Sequence, residues 1–173
     1  MAKKANKKLT KPALTRRLKK IKLLSLDVDG VQTDGGLYYT ETGQQLRKFH
    51  VHDGVGIKRI MAAGVAVAII TASKTPSIKR RGQNLGVPHV FVGVEDKLSA
   101  VTGLCEDLGI ELSEVAHIGD DLNDLPLLQN VGLAMTVANA VPEVKASVSY
   151  VTVTEGGNGA VREISDLLVK AKG

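Results

Sequence analysis

The chain has 173 residues, 43% hydrophobic and 24% charged, which is enough for one buried core and too few for two ordinary domains. Its formal charge of +5 belongs to one end: ten of the 23 basic residues lie between Lys3 and Lys22 with no acidic residue among them, while the other 13 face 18 acidic residues. The acidic body, with 3% aromatic residues, argues against a nucleic-acid platform, and the longest apolar run, Val65 to Ile70, is too short to span a bilayer.

Residues 1–20 read as a basic, disordered tail and residues 21–173 as a single domain. Ile21 to Leu26 forms a first strand that ends at Asp27. Leu37-Tyr38-Tyr39 and Leu46 to Val51 flank the turn signal Glu41-Thr42-Gly43-Gln44, which predicts a β-hairpin. Asp53 then caps a helix running to Ala63, Gly64 closes it, and Val65 to Ile70 forms a second apolar strand ending at Thr71. Next come a helix over Pro76–Leu85, a strand His89–Val92, a helix Lys97–Leu108 and a strand Val115–Ile118. A helix Leu122–Gln129, a strand Gly132–Met135, a short helix Pro142–Lys145, a strand Val148–Val153 and a helix Gly159–Ala171 complete the chain. This alternation predicts right-handed crossovers and a parallel sheet covered on both faces, a three-layer α/β/α Rossmann-like fold. Cys105, the only cysteine, sits among Val101, Leu104 and Leu108 at helical spacing and reads as a buried structural thiol in a cytoplasmic protein.

In such sheets ligands bind beyond the carboxyl ends of the strands, and Asp27, Thr71 and Asp120 all fall there. Asp27-Val28-Asp29-Gly30 sets two carboxylates just after an apolar strand. The first can attack phosphorus to give an aspartyl-phosphate, and the second can protonate the leaving alkoxide and then deprotonate water. Gly119-Asp120-Asp121-Leu122-Asn123-Asp124 clusters hard oxygen donors of the kind Mg²⁺ prefers, although Asp121 and Asn123 are equally good helix caps. Thr71 offers a hydroxyl to a phosphate oxygen. Lys97 opens a helix against its dipole, a misfit that a phosphoryl anion would relieve. His50, His89 and His117 have no metal-ligand spacing and read as structural.

The order Asp-x-Asp-Gly, Thr, Lys, Gly-Asp-Asp-x-x-Asp resembles the haloacid dehalogenase superfamily of phosphatases, from about Ile21 to the C-terminus. The resemblance implies that Asp27 is the nucleophile and Asp29 the general acid/base, with Asp27, Asp29 (through its carbonyl) and Asp120 holding Mg²⁺. It implies that Thr71, Ala72 and Lys97 hold the phosphoryl group, that Asp124 supports the metal site by orienting Lys97 or a water, and that Asp121 is a secondary candidate ligand.

The short interval from Asp29 to Thr71 admits a hairpin and no large cap domain. Leu46 to Ile57 and Gly156 to Glu163 resemble the capless branch that contains the 3-deoxy-D-manno-octulosonate 8-phosphate (KDO 8-phosphate) phosphatases. That resemblance implies a homotetramer whose hairpins close neighbouring sites, an acidic sugar-phosphate substrate and a role in lipopolysaccharide precursor synthesis. The chain departs from the branch at the second motif, Thr71-Ala72-Ser73 in place of Thr-Gly-Arg, and at His52 in place of Arg. Lys74, Arg47 or Arg162 are the cations that could compensate, and His52 is either a pocket residue or an exposed strand end. Two alternatives stand beside this reading: a sialic-acid-type 9-phosphate phosphatase, and a non-catalytic tetramerisation module.

Overall fold

The structure, a computed structural model, describes residues 8–173. Its strands are β1 (Leu23–Leu26), β2 (Tyr38–Tyr39), β3 (Gln45–Leu46), β4 (Ala66–Thr71), β5 (His89–Val92), β6 (Val115–Ile118), β7 (Leu133–Thr136) and β8 (Tyr150–Val151). Six of them form one parallel sheet in the order β5-β4-β1-β6-β7-β8, and β2 and β3 form a separate antiparallel hairpin. The chain starts at the centre, winds out through β4 and β5, then returns past β1 to β6. This reversal opens a crevice at the carboxyl end of β1.

The helices are α1 (Lys11–Lys20), α2 (Val51–Ala62), α3 (Pro76–Leu85), α4 (Lys97–Leu108), α5 (Leu125–Leu128), α6 (Pro142–Ser147) and α7 (Ala160–Lys172). Strand residues alternate between two cores because successive side chains point to opposite faces. Leu24, Leu26, Val67 and Ile69 pack with Ile57 and Ile60 of α2, Ile78 of α3 and Ile164 and Leu168 of α7. Leu23, Ala68 and Ile70 pack with Val101, Leu104 and Cys105 of α4 and Leu127 of α5. Cys105 is therefore the buried structural thiol its spacing implied. No helix among the described residues is long and apolar enough to cross a membrane.

Most elements lie within a few residues of their expected bounds, and α3, β5, α4 and β6 coincide with them. Three expectations are corrected. The stretch expected to be a disordered tail contains α1, whose Leu14 and Leu18 are buried in the core shared with α7. Leu9 N–H also donates to Ser149 O at 3.1 Å. Leu14 and Leu18 are four apart, so they make an apolar stripe on a helix that charge alone does not reveal. Residues 1–7 of that expectation lie outside the described residues. Second, α2 starts at Val51 with His50 at its N-cap, so the second hairpin strand ends at Leu46 and Asp53 lies inside the first turn. Asp53 instead accepts from Arg162 N–H at 2.8 Å, joining α2 to the start of α7. Third, the helix expected from Leu122 begins as a 3₁₀ turn, Leu122–Asp124, and only Leu125–Leu128 is α-helical.

Candidate active site

Main-chain bonds shape the loop after β1 before any side chain acts. Asp27 N–H donates to Ile118 O at 3.0 Å, which extends β1 beside β6. The N–H groups of Val31, Gln32 and Thr33 then converge on Val28 O at 3.2, 2.9 and 3.1 Å. Thr33 Oγ1 accepts from Gly30 and Gly35 N–H, and Gln32 Nε2 donates to Asp27 O at 3.0 Å. Gly30 has φ +84°, and a Cβ there would lie 2.0 Å from Asp120 Oδ2. Only glycine permits both that backbone and the close approach of the Asp120 carboxylate. The loop is also held from behind: a Cβ on Gly156 would lie 1.7 Å from Gly30 O.

Behind the loop lies a buried charge chain. Lys97 Nζ sits 2.9 Å from Asp27 Oδ1 and 2.6 Å from Asp124 Oδ1, with all three side chains almost wholly excluded from water. Burial alone would depress the Lys97 pKa, but the two carboxylates outweigh it and hold the ammonium above its ordinary value. Asp124 is a four-way acceptor. Its Oδ1 also meets His117 Nε2 at 3.1 Å, and its Oδ2 accepts from Asp120 and Asp121 N–H at 3.1 and 3.4 Å. Burial pushes Asp124 up, yet the His117 hydrogen bond and Lys97 prevail and bring it down to about 2. With Asp124 ionised, His117 Nε2 donates to it, and Nδ1 is hydrogen-bonded to Ser25 Oγ, 3.1 Å away. Asp27 goes the other way: desolvation and then Asp124 push it up to about 7 against the pull of Lys97. Desolvation, Asp124 and Asp121 likewise push Asp120 up to about 7.

In front of the loop, Asp27, Asp29, Gly30, Thr71, Ala72, Ser73, Asp120, Asp121 and Asn123 line an open cleft of about 280 Å³. Thr71 Oγ1 accepts from Ser73 N–H at 3.1 Å, which bends the chain after β4 over the cleft. Asp121 caps the 3₁₀ turn by accepting from Leu122 N–H at 2.7 Å. A larger cavity of about 810 Å³ opens at the other end of the sheet among Arg17, Lys19, Lys20, Lys22 and Lys172. Its carboxylates, Glu111 and Glu114, precede β6 rather than follow a strand, and Glu114 is paired with Lys22, so the chemistry belongs to the smaller cleft.

The acidic cluster fits a hard divalent cation. Asp27, Asp120 and Asp124 each bring a carboxylate oxygen, all within 4.8 Å of one another. Asp120 Oδ1 is buried without a hydrogen-bond partner, and burial and the nearby Asp124 charge penalise the ionised forms of Asp27 and Asp120. Asp124 already has both oxygens engaged, which suits an orienting role better than a ligand role.

Residues 93–164 match the family model of haloacid dehalogenase-like hydrolases. A 3-deoxy-D-manno-octulosonate 8-phosphate phosphatase of Salmonella typhimurium is 43% identical over 162 residues, 94% of this chain and 86% of that protein. The chain belongs to this phosphatase family. The Moraxella catarrhalis KDO 8-phosphate phosphatase, in a crystal structure with magnesium, phosphate and KDO, aligns with a TM-score of 0.89 at 41% identity, covering 91% of each chain. The cobalt-bound Haemophilus influenzae enzyme aligns with a TM-score of 0.87 at 40% identity, covering 90% of this chain and 91% of that one.

Within the KDO 8-phosphate phosphatase family, the departures at Ala72, Ser73 and His52 acquire definite positions. Arg47, arriving from the end of β3, places Nη2 3.0 Å from Ser73 Oγ, beside the position where the family pattern has its own arginine. Its Nε and Nη2 also meet Asp29 Oδ1 and Oδ2 at 2.7 and 3.1 Å. Arg47 thus reaches the cleft through Asp29 and Ser73, which line it, and the other proposed compensating groups lie elsewhere. Lys74 lines a neighbouring groove with Tyr39, Gln45 and Pro76. Arg162 Nε is paired with Asp166 one turn along α7. His52 is an exposed residue of the first turn of α2, edge-on to His50 at 5.0 Å, so it is not a strand end. His117 and Ser25 were missed as members of the charge chain. Their signal was a polar pair facing each other across β6 and β1 inside otherwise apolar strands.

Proposed function

We propose that the chain hydrolyses KDO 8-phosphate to KDO and inorganic phosphate, with Mg²⁺, as a step in lipopolysaccharide precursor synthesis. The observation that carries this reading is the Asp27–Lys97 pair at the end of the central strand, on the floor of an open cleft with Asp29 two residues away. The family membership and the magnesium, phosphate and KDO bound by the Moraxella catarrhalis relative support the substrate and the metal.

An Asp27 oxygen attacks phosphorus as the ester P–O bond breaks, and Asp29 gives its proton to the departing sugar oxygen. Asp29 then takes a proton from the water that attacks the phosphorus of the aspartyl-phosphate, releasing phosphate and restoring Asp27. Lys97 and Thr71 hold phosphoryl oxygens, and Asp124 fixes Lys97 and the N–H groups of the Asp120 loop. Asp27, Asp120 and the Asp29 carbonyl would hold Mg²⁺, which when bound supplies the positive charge that lets an anionic phosphate approach these carboxylates.

A homotetramer in the cytoplasm belongs to the same reading. Leu37, Tyr38, Tyr39 and Leu46 around the hairpin, with Val51 and Val55 on α2, are exposed apolar side chains that a neighbouring subunit would cover.

A phosphate-release assay with Mg²⁺ over KDO 8-phosphate, a sialic-acid 9-phosphate and neutral sugar phosphates tests the assignment. KDO 8-phosphate is expected to lead by at least about tenfold in kcat/KM, and equal, weak rates on all would overturn it. Asp27→Asn should retain less than about a hundredth of the wild-type rate with Mg²⁺ still bound.

A further inference from the structure

Arg47 does more than bring a cation to the cleft. All five of its guanidinium donors have acceptors within reach. Nε and Nη2 take both oxygens of Asp29, Nη2 also donates to Ser73 Oγ, and Nη1 donates to Thr75 Oγ1 at 2.7 Å and Gln45 Oε1 at 3.3 Å. Thr75 and Gln45 are themselves bonded at 3.0 Å, and the Ser73 and Thr75 hydroxyls lie 3.0 Å apart. The Arg47 side chain is 3% exposed although it stems from a solvent-facing hairpin. A planar fork held in this way is released readily only to another planar, bidentate acceptor. While the pair is closed, both oxygens of Asp29 are engaged by Arg47 at the edge of the cleft.

We propose that the Arg47–Asp29 pair is a specificity latch: the carboxylate of a sugar-acid phosphate takes Arg47 away from Asp29, and the freed Asp29 turns to the ester oxygen of the phosphoryl group at Asp27. The inference rests on the reading of Asp29 as the acid/base of a sugar-acid phosphatase. It makes Arg47 select twice, once by binding the acidic substrate and once by permitting its turnover. A neutral sugar phosphate offers hydroxyls but no carboxylate. It is turned over only by the fraction of molecules in which the pair is open. Ser73, Thr75 and Gln45 act as positioning residues, since they hold the guanidinium in the plane that meets Asp29.

The test uses the full chain with Mg²⁺ and two substrates, KDO 8-phosphate and glucose 6-phosphate, with kcat and KM measured separately. Arg47→Lys keeps a cation for the substrate but cannot hold Asp29 through two parallel bonds. The latch requires kcat/KM on KDO 8-phosphate to fall about tenfold or more while kcat on glucose 6-phosphate rises several-fold. Unchanged turnover of glucose 6-phosphate would make Arg47 a binding residue only, and a fall on both substrates would make it a structural support; either result overturns the latch. Thr75→Val removes one acceptor of Arg47 without touching Asp29 and carries the test if Arg47→Lys does not fold. It should raise glucose 6-phosphate turnover by a smaller factor, and no rise would count against the proposal. If the sugar-acid reading itself is wrong, wild type shows no preference for KDO 8-phosphate, whereas the glucose 6-phosphate response of the variants still decides the latch.

Discussion

Asp27 and Asp120 are two carboxylates raised to about 7 from an ordinary 3.8, beside a third, Asp124, lowered to about 2. The direction has a consequence for stability. Groups raised in the fold contribute stability that is complete below their unfolded value and lost as pH rises through about 7, so the metal-free fold weakens between about pH 4 and pH 8. A divalent cation binds the deprotonated pair and cancels that loss. The rise in Tm on adding Mg²⁺ should therefore be larger at pH 8 than at pH 5, and binding near pH 7 should release protons, measurable by calorimetry in buffers of different ionisation enthalpy. An equal Tm shift at both pH values would contradict this account. Asp27, Asp29 and Asp120 could be read from sequence because a carboxylate at the end of an apolar strand has few structural excuses. Lys97 could be read from its mismatch with a helix start. The Arg47–Asp29 bond and the His117–Ser25 contact were hidden, because they depend on side chains that meet only through tertiary packing.

At the scale of elements, the alternation of apolar runs with helix-length segments was enough to give the parallel sheet, since strands buried on both faces leave an unbroken apolar signal. Short elements were less legible. The hairpin strands are two residues each, and the stretch from Phe49 to Asp53 could be assigned to a strand or a cap until the packing of α2 against α7 fixed it. The loop after β1 and the glycines before α7 are interlocked, so Gly156→Ala should displace Gly30 and the carboxylates of Asp27 and Asp29 together. Turnover is expected to fall at least about tenfold, because small misplacement of reacting groups is costly. Normal kcat with unchanged Tm would show that the contact relaxes without consequence.

For the whole molecule, a net charge is a poor guide to order. The basic stretch Lys11–Lys20 was legible as cationic but not as folded, because two leucines among its basic residues carry the packing. Leu18 is 2% exposed in the core shared with α7, so Leu18→Ala should destabilise the protein by about 2–5 kcal/mol, read as a lower Tm. With the site at the opposite end of the sheet, kcat at a temperature where the variant remains folded should be unchanged. A drop in kcat without a drop in Tm would place α1 in the chemistry instead.

The contact between Gly156 and the Gly30 carbonyl also sets an order of events during synthesis. Asp27, the proposed nucleophile, leaves the ribosome long before Gly156, against which its loop is shaped. A nascent chain halted before Gly156 carries Asp27, Asp29, Thr71, Lys97 and Asp120 but lacks the surface against which the loop is shaped. Catalytic competence therefore arrives late and all at once, and a ribosome-bound fragment of any shorter length is expected to release no phosphate.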